Sequence, residues 1–458
     1  MRKLSITIIL FLTLSPLLGL SLSECKQLAL QHNQAYKSQQ ELSQAAAAQQ
    51  KSAFTDFLPQ LSASGGYLHS NEKYSYTTPD LTLPVADAEG NIIIVTDAAG
   101  NPVLDANGEV IVENWAILPS QDLELGKEDI YLASLNLTQP IFTGGKLREK
   151  YKISKYSREI SAAESELSRQ ALLVKTEKYF WRVISLQAQV KLADEYRAAV
   201  DKHLADLQHY LDEGVITPNT VLQAQVKQNE AELLQVKAQN GLQLATFALN
   251  QVLGRPLASE LELSGNLSAI AASESPAAVR PELEIMQNMV NVSSSIKRVA
   301  WSNYLPNIVL NASYSWLNPN PYNSLQEEFG SDWQVGIMAE LKLFGWNKRG
   351  FQLAAAEHQR RAAQHKLQET AELIALEQSQ AQYSLQEASK KLEITARSVQ
   401  QAAENLLAVE DKFQEGLAKS SEVLDAQVLW QKAKADDITA KTEYQIANIK
   451  SQKATGNL

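Results

Sequence analysis

Few residues of this 458-residue sequence are of a type and spacing that could do chemistry. The most pointed group is acidic: Glu422 and Asp425, within SSEVLDAQ, stand three apart and share one face of a helix. Carboxylates crowded in this way attract cations and raise each other's pKa; taken alone, they equally describe a solvated helix surface. His358 and His365, seven apart, share a face, whereas His203 and His209 do not. No second close ligand completes a metal site around any of them. Asp87, Asp97 and Asp105 open DAEG, DAAG and DANG, three turns without the spacing or terminal Glu of a calcium loop. Cys25 is the only cysteine, so no disulfide forms within the chain. With no Ser-His-Asp set and no Gly-rich phosphate loop, we expect no enzyme, no metal and no cofactor.

The acidic pair belongs to a turn that the chain writes twice, EGVITPNTVLQAQ from Glu213 and EGLAKSSEVLDAQ from Glu415. An offset of 202 residues superimposes Ile141-Phe142 on Leu343-Phe344, Lys146 on Lys348 and Gly254 on Gly456. Upstream the offset is 247, bringing Leu58-Pro59 onto Leu305-Pro306, so the first copy carries 45 extra residues between Tyr67 and Tyr131. Such a period indicates duplication of a domain-sized unit rather than a solenoid. We expect a leader at 1–21, a first unit at 22–254 with a long loop at 70–128, a link at 255–280 and a second unit at 281–458.

Each unit has one grammar. A helix, at Ser23–Phe54 or Pro281–Ser302, is followed by two alternating stretches, then by a run rich in Ala, Leu, Glu, Gln and Lys. These runs, Lys146–Glu213 and Phe351–Glu415, predict helices of about 65 residues, roughly 100 Å long. Gly214 and Gly416 stop them, and second helices return from Asn219 and Ser420 as N-caps. On the first returning helix Leu222, Val226, Asn229, Leu233, Val236, Asn240 and Phe247 form a seam interrupted by Asn, half packed and half wetted.

The alternating stretches predict strands with one apolar and one polar face. Leu61, Ala63, Gly65 and Tyr67 share a side, as do Tyr131, Ala133, Leu135, Leu137 and Ile141. In the second unit Ile308–Trp316 and Trp333–Leu343 repeat the pattern. Aromatics mark both ends: Tyr67, Tyr131, Tyr314, Trp316 and Trp333 at one, Phe142, Phe344 and Trp346 with Phe57 and Tyr304 at the other. That is the girdle of an outer-membrane barrel. Four strands cannot close one, whereas three chains would supply twelve. An extended coiled-coil scaffold or an adaptor without a pore is the alternative.

Composition agrees with long helices, at 45% hydrophobic and 21% charged. A net charge of −10 without a basic patch excludes nucleic acid as a partner. The start, MRKLSITIILFLTLSPLLGLSLS, reads as a secretory signal peptide with small residues Gly19 and Ser21 at the cleavage point. Glu24 fits poorly before a lipid-modified cysteine, so Cys25 is expected to be an ordinary helix residue.

The duplicated strand, long helix, EG turn and returning helix, with LPQLSASGGY, LPNIVLNASY, TQPIFTGGK and LKLFGWNKR, resemble the TolC-type outer-membrane efflux channel family over nearly the whole mature chain. The resemblance implies a mixed α and β membrane protein: long antiparallel helical hairpins forming a periplasmic α-barrel, continued by a 12-stranded trimeric β-barrel in outer-membrane lipid. It implies a homotrimer that meets a periplasmic adaptor and an inner-membrane pump through the tips at Gly214, Val215, Gly416 and Leu417. It implies a passive exit duct of a tripartite efflux pump or a type I secretion system. By the same resemblance Glu422 and Asp425 form an acidic gate ring and Phe413 is the aromatic before the turn. Ala418 and Thr220 stand where members of the family carry an Arg and an Asp that hold the tips shut, leaving Lys419 as the expected latch.

Overall fold

The computed structural model describes residues 19–71, 75–124, 128–265, 267, 280–320 and 328–458. Most of the expected leader, half of the expected link, and residues 72–74 and 125–127 of the expected loop lie outside them. The chain divides into two compact units, one of residues up to Ala53, Arg148–Ala300 and Lys348–Leu458, the other of Phe54–Leu147 and Trp301–Asn347.

The first unit is helical. Its elements are α1 (Leu22–His32), α2 (Gln34–Thr55), α3 (Lys146–Asp212), α4 (Pro218–Leu253), α5 (Pro281–Ser302), α6 (Lys348–Gln414) and α7 (Ser420–Ala454). No described helix is long and apolar enough to cross a membrane. α3 and α6 each run 67 residues, about 100 Å at 1.5 Å per residue. α3 and α4 lie antiparallel, joined by Asp201 with Gln228 at 2.7 Å and Arg197 with Gln235 at 2.6 Å. α6 and α7 do the same through Lys391 with Glu443 at 2.6 Å and a buried contact of Thr395 with Asp437 at 3.2 Å. α7 also lies against α3, where Lys434 meets Glu195 at 3.1 Å. Two long helical hairpins are therefore present, as the sequence leads one to expect.

The hydrophobic core sits where α1, α3 and α4 converge, around Cys25, Phe180, Leu249, Val252 and Leu253, all fully buried. Burial pushes the Cys25 thiol up to about 11, so it is an inert core residue. Glu24 serves the helix start instead. Its carboxylate accepts from the Ser21 backbone N–H at 2.8 Å, half of a capping box that begins α1. Leu20, assigned to the leader from sequence, bonds to Glu262 and Ser264 and packs on this core. The single expected first helix is broken at Asn33, whose buried amide leaves the helix to donate to the Val252 carbonyl at 3.0 Å.

Ion pairs stitch α5 to the long helices. Arg298 and Lys152 meet Glu149 at 3.2 and 2.8 Å, while Lys297, Arg360 and Arg361 surround Glu357. These three cations hold the Glu357 carboxyl far below the usual range. Arg280 is buried between Glu282 and Glu377, at 2.8 Å from each, and also donates to the Ala454 carbonyl. An arginine fork suits such a site because it satisfies several acceptors at once.

The second unit is a four-stranded antiparallel sheet, β1 (Gln60–His69), β6 (Asp129–Phe142), β7 (Asn307–Asn318) and β8 (Gly330–Glu340), ordered β1-β6-β7-β8. Between β1 and β6 stand β2 (Ser75–Thr77), β3 (Leu81–Pro84), β4 (Trp115–Leu118) and β5 (Asp122–Glu124), which pair as β2-β5 and β3-β4 and prolong the β1-β6 hairpin. At its end the DAEG, DAAG and DANG turns each close a small hairpin. Val95, Val103 and Ile111 pass hydrogen bonds in a ring, each N–H reaching the carbonyl of another at 2.9 Å. Residues 75–124 hold nine acids and no Lys, Arg or His, so nearly all of the net charge of −10 belongs to this extension. The rest of the chain is close to neutral, and the effect of any acid there is local.

The turns into the two long helices share one backbone shape. Gly144 and Gly145 have φ of 61° and 84°, and Trp346 and Asn347, the residues that match them in the second unit, have 50° and 58°. Glycine adopts this left-handed region freely; side chains cost about 1 kcal/mol there. Asn347→Gly is expected to raise the thermal midpoint slightly, a gain of up to about 1 kcal/mol checked by a melt of the full protein.

Candidate channel surfaces and helical tips

The strand register defines two surfaces. Leu61 pairs with Leu137, Ala63 with Leu135 and Tyr67 with Tyr131; Leu135 then pairs with Tyr314, which pairs with Trp333. Paired residues in an antiparallel sheet share a face, so the apolar residues of all four strands form one surface. The opposite surface is polar: Ser64 bonds to Ser134 at 2.8 Å, Asn136 to Ser134 at 3.1 Å, and Thr138 to Asn311 at 3.3 Å. The strands have 10, 14, 12 and 11 residues, enough to cross a bilayer core when tilted.

Aromatic pairs lie where the sequence puts them at the far end, Tyr67 against Tyr131 at 5.1 Å and Tyr314 against Trp316 at 4.4 Å. The near end differs from expectation. A bulge between Pro140 and Phe142 gives Phe142, not Ile141, the partner Ile308 on the apolar side. β8 ends at Glu340, so Leu341 and Leu343 do not extend it. Phe344 and Trp346 pack on each other at 5.1 Å in the following turn, Trp346 being 85% exposed.

In the helical unit both hairpin turns end in one motif. The N–H of Gly214 bonds to Leu211 O and that of Val215 to Tyr210 O; the N–H of Gly416 bonds to Phe413 O and that of Leu417 to Lys412 O. Both glycines have φ of 75°, which makes this the Schellman end of a helix with glycine just beyond it. Val215 and Leu417 follow at 69% and 74% exposure, apolar side chains displayed at the tips.

The caps of the returning helices lie one or two residues before the expected Asn219 and Ser420. Thr217 occupies the cap of α4 with Pro218 as its first residue, and Lys419 that of α7. The Glu422 carboxylate turns back to accept from the Lys419 N–H at 3.3 Å. Glu422 and Asp425 are exposed, while Val423, Leu424, Ala426 and Gln427 are buried. The acids therefore lie on the face of α7 that its own chain leaves open. Lys227 on α4, bonded to Glu230 at 2.8 Å, also feels the Asp425 charge, a neighbour that spacing along the sequence does not reveal. The Lys419 side chain forms no ion pair among the described residues.

Phe413 is half-buried and packs on His203 at 5.1 Å and Tyr210 at 6.1 Å, beside a cluster of Leu207, Val221, Ala224 and Leu424. It ties the second hairpin to the first. The packed face of α4 is Val221, Ala224 and Ala231, whereas Leu222 and Val226 of the expected seam are 58% and 55% exposed. In this first part of α4 the small residues allow close approach within the chain, while Leu222 and Val226 stay exposed; towards its end Leu249, Val252 and Leu253 are buried in the core. His358 and His365 are both exposed.

The chain matches the family model described as outer membrane efflux protein over residues 26–255 and 276–457. The cobalt-zinc-cadmium resistance protein CzcC of Cupriavidus metallidurans is 27% identical over 172 residues, 37% of this chain and 41% of that protein, so the match spans less than half of that relative's length. Among solved structures, the CmeC outer membrane channel of Campylobacter jejuni has a TM-score of 0.75 at 16% identity, covering 95% of this chain and 85% of that one. The outer membrane protein VceC of Vibrio cholerae has a TM-score of 0.72 at 17% identity, covering 95% and 96%. At these identities the structures speak for the fold, and the family model, matched in both halves, speaks for the family. The chain belongs to the outer membrane efflux protein family and is a protein of the Gram-negative outer membrane.

Proposed function

We propose that three copies of this chain form a passive exit duct of a tripartite efflux pump or a type I secretion system. The observation that carries this reading is the sheet register, with one continuous apolar face, one polar face and two edge strands, β1 and β8. An edge in lipid would expose backbone donors and acceptors with nothing to satisfy them. Three copies close the edges into twelve strands, with apolar side chains on lipid and the polar face on water. Tyr67, Tyr131, Tyr314, Trp316, Trp333, Phe142, Phe344 and Trp346 then lie at the two interfaces of the membrane.

The exposed Leu222, Val226 and Leu233 of α4 gain partners when neighbouring copies close a helical barrel. At its tips Gly214, Val215, Gly416 and Leu417 meet a periplasmic adaptor and, through it, an inner-membrane pump that supplies the energy. Glu422 and Asp425 line the entrance and favour cations, a physical counterpart to the metal resistance in the name of the relative from Cupriavidus. No catalytic step is assigned. In planar bilayers the purified full chain is expected to give small, discrete, cation-selective current steps. Inserted protein that never conducts would instead support a scaffold or adaptor without a pore.

A further inference from the structure

His203 is buried in α3, 6% exposed, at the tip of the first hairpin. Its Nε2 shares a hydrogen bond of 2.9 Å with Oγ of Ser420, the first residue of α7 and itself buried. The edge of Phe413 from α6 packs on the ring at 5.1 Å. One imidazole thus joins three helices and fixes the start of the helix that carries Glu422 and Asp425. Beside it lies a cavity of about 90 Å³. Gln427 lines this cavity at 2% exposure, and its Oε1 accepts no hydrogen bond among the described residues. The ionisable groups around the cavity are Lys202, Asp206 and Tyr210 on α3 and Glu410 on α6; α7 contributes none.

We propose that His203 is a proton-sensitive latch of the tip, holding the start of α7 on α3 while its ring is neutral and releasing it when the ring is protonated. The proposal rests on the reading of these tips as a channel entrance. Imidazolium is disfavoured here because the ring is desolvated. Burial holds the His203 pKa below its ordinary value; the attraction of Asp206 and a hydrogen bond with the Ser420 backbone oppose this without overcoming it. In a released tip the ring is wet and returns to about 6.5. The released state therefore binds the proton more tightly. The latch holds fully above about pH 6.5 and is lost as the pH falls through the lower, closed-state value. When protonated, both ring nitrogens donate, and the unused Gln427 acceptor offers the ring a second position.

The test compares wild type, His203→Gln and Ser420→Ala, as full-length protein in planar bilayers, at pH 7.5 and 5.5. Glutamine keeps a hydrogen-bonding group near Nε2 that does not titrate. Wild type is expected to open more often in acid, by up to about tenfold per pH unit below 6.5 for one proton per chain. His203→Gln is expected to lose that response and remain closed, and Ser420→Ala to open already at pH 7.5. An acid response that survives in His203→Gln, or a conducting wild type without one, overturns the latch. A wild type that inserts and never conducts overturns the channel reading instead. Amide exchange of residues 412–424 in wild type gives a check independent of variant folding. Corrected for intrinsic pH dependence, it is expected to speed up at pH 5.5, and protection unchanged by acid also overturns the latch.

Discussion

Replacing Glu422 with Gln and Asp425 with Asn is expected to abolish the preference of the channel for cations while leaving its conductance steps intact. In the proposed trimer, three chains would place six carboxylates around the opening. At about 10 Å from a monovalent ion, each contributes roughly 0.4 kcal/mol at the dielectric of water, so six sum to about 2.5 kcal/mol. At about 0.15 M salt, with a Debye length near 8 Å, screening leaves roughly 0.7 kcal/mol, a threefold preference. At about 0.01 M, where the Debye length is near 30 Å, about 1.8 kcal/mol survives, roughly twentyfold. Reversal potentials under a salt gradient read this directly, and the salt dependence should vanish with the charges. The amides matter to the design. Glu422 also caps α7 through the Lys419 N–H, and Gln keeps that acceptor where Ser would not. A selectivity that outlasts the loss of both charges would assign the filter to another part of the duct.

The largest expected loss of stability comes from Phe180→Ala. Phe180 is fully buried, stacked edge-on against Trp181 at 5.1 Å, in the core shared by α1, α3 and α4. Truncation removes the largest side chain that is fully buried in this cluster and leaves a cavity that the surrounding helices fill only in part. Phe→Ala changes of this kind cost about 3–5 kcal/mol. Phe180→Leu keeps much of the apolar volume and should cost well under half of that. Denaturant midpoints of the two variants against wild type measure the difference. Equal midpoints for Ala and wild type would mean that this core adds little to the folded state.

Much of the architecture was legible because it rests on local rules. Long runs without Pro make helices, a Gly at the end of each makes a Schellman turn, and period-two alternation makes two-faced strands; α3, Gly214, Gly416 and β7 follow from these. Local deviations were harder. The bulge at Phe142 and the end of β8 at Glu340 depend on where neighbouring strands bond, and alternation alone continues through both. The left-handed turn at Trp346 and Asn347 is concealed because the glycines that signal it in the first unit are replaced in the second.

A chain by itself determines which of its faces are apolar, since that follows from residue type and helical or strand period. Which apolar face packs within the chain is settled only in three dimensions, by fit. On α4 the small side chains of Ala224 and Ala231 let helices approach, so they are buried although Leu222 and Val226 are the more hydrophobic. The acidic pair was visible as two residues three apart, but its exposure depends on α7 burying the opposite side. His203 and Ser420, 217 positions apart, carry no mutual signal in the sequence. Only the antiparallel run of α3 beside α7 brings them to 2.9 Å, and that contact gives an ordinary histidine a place at the tip.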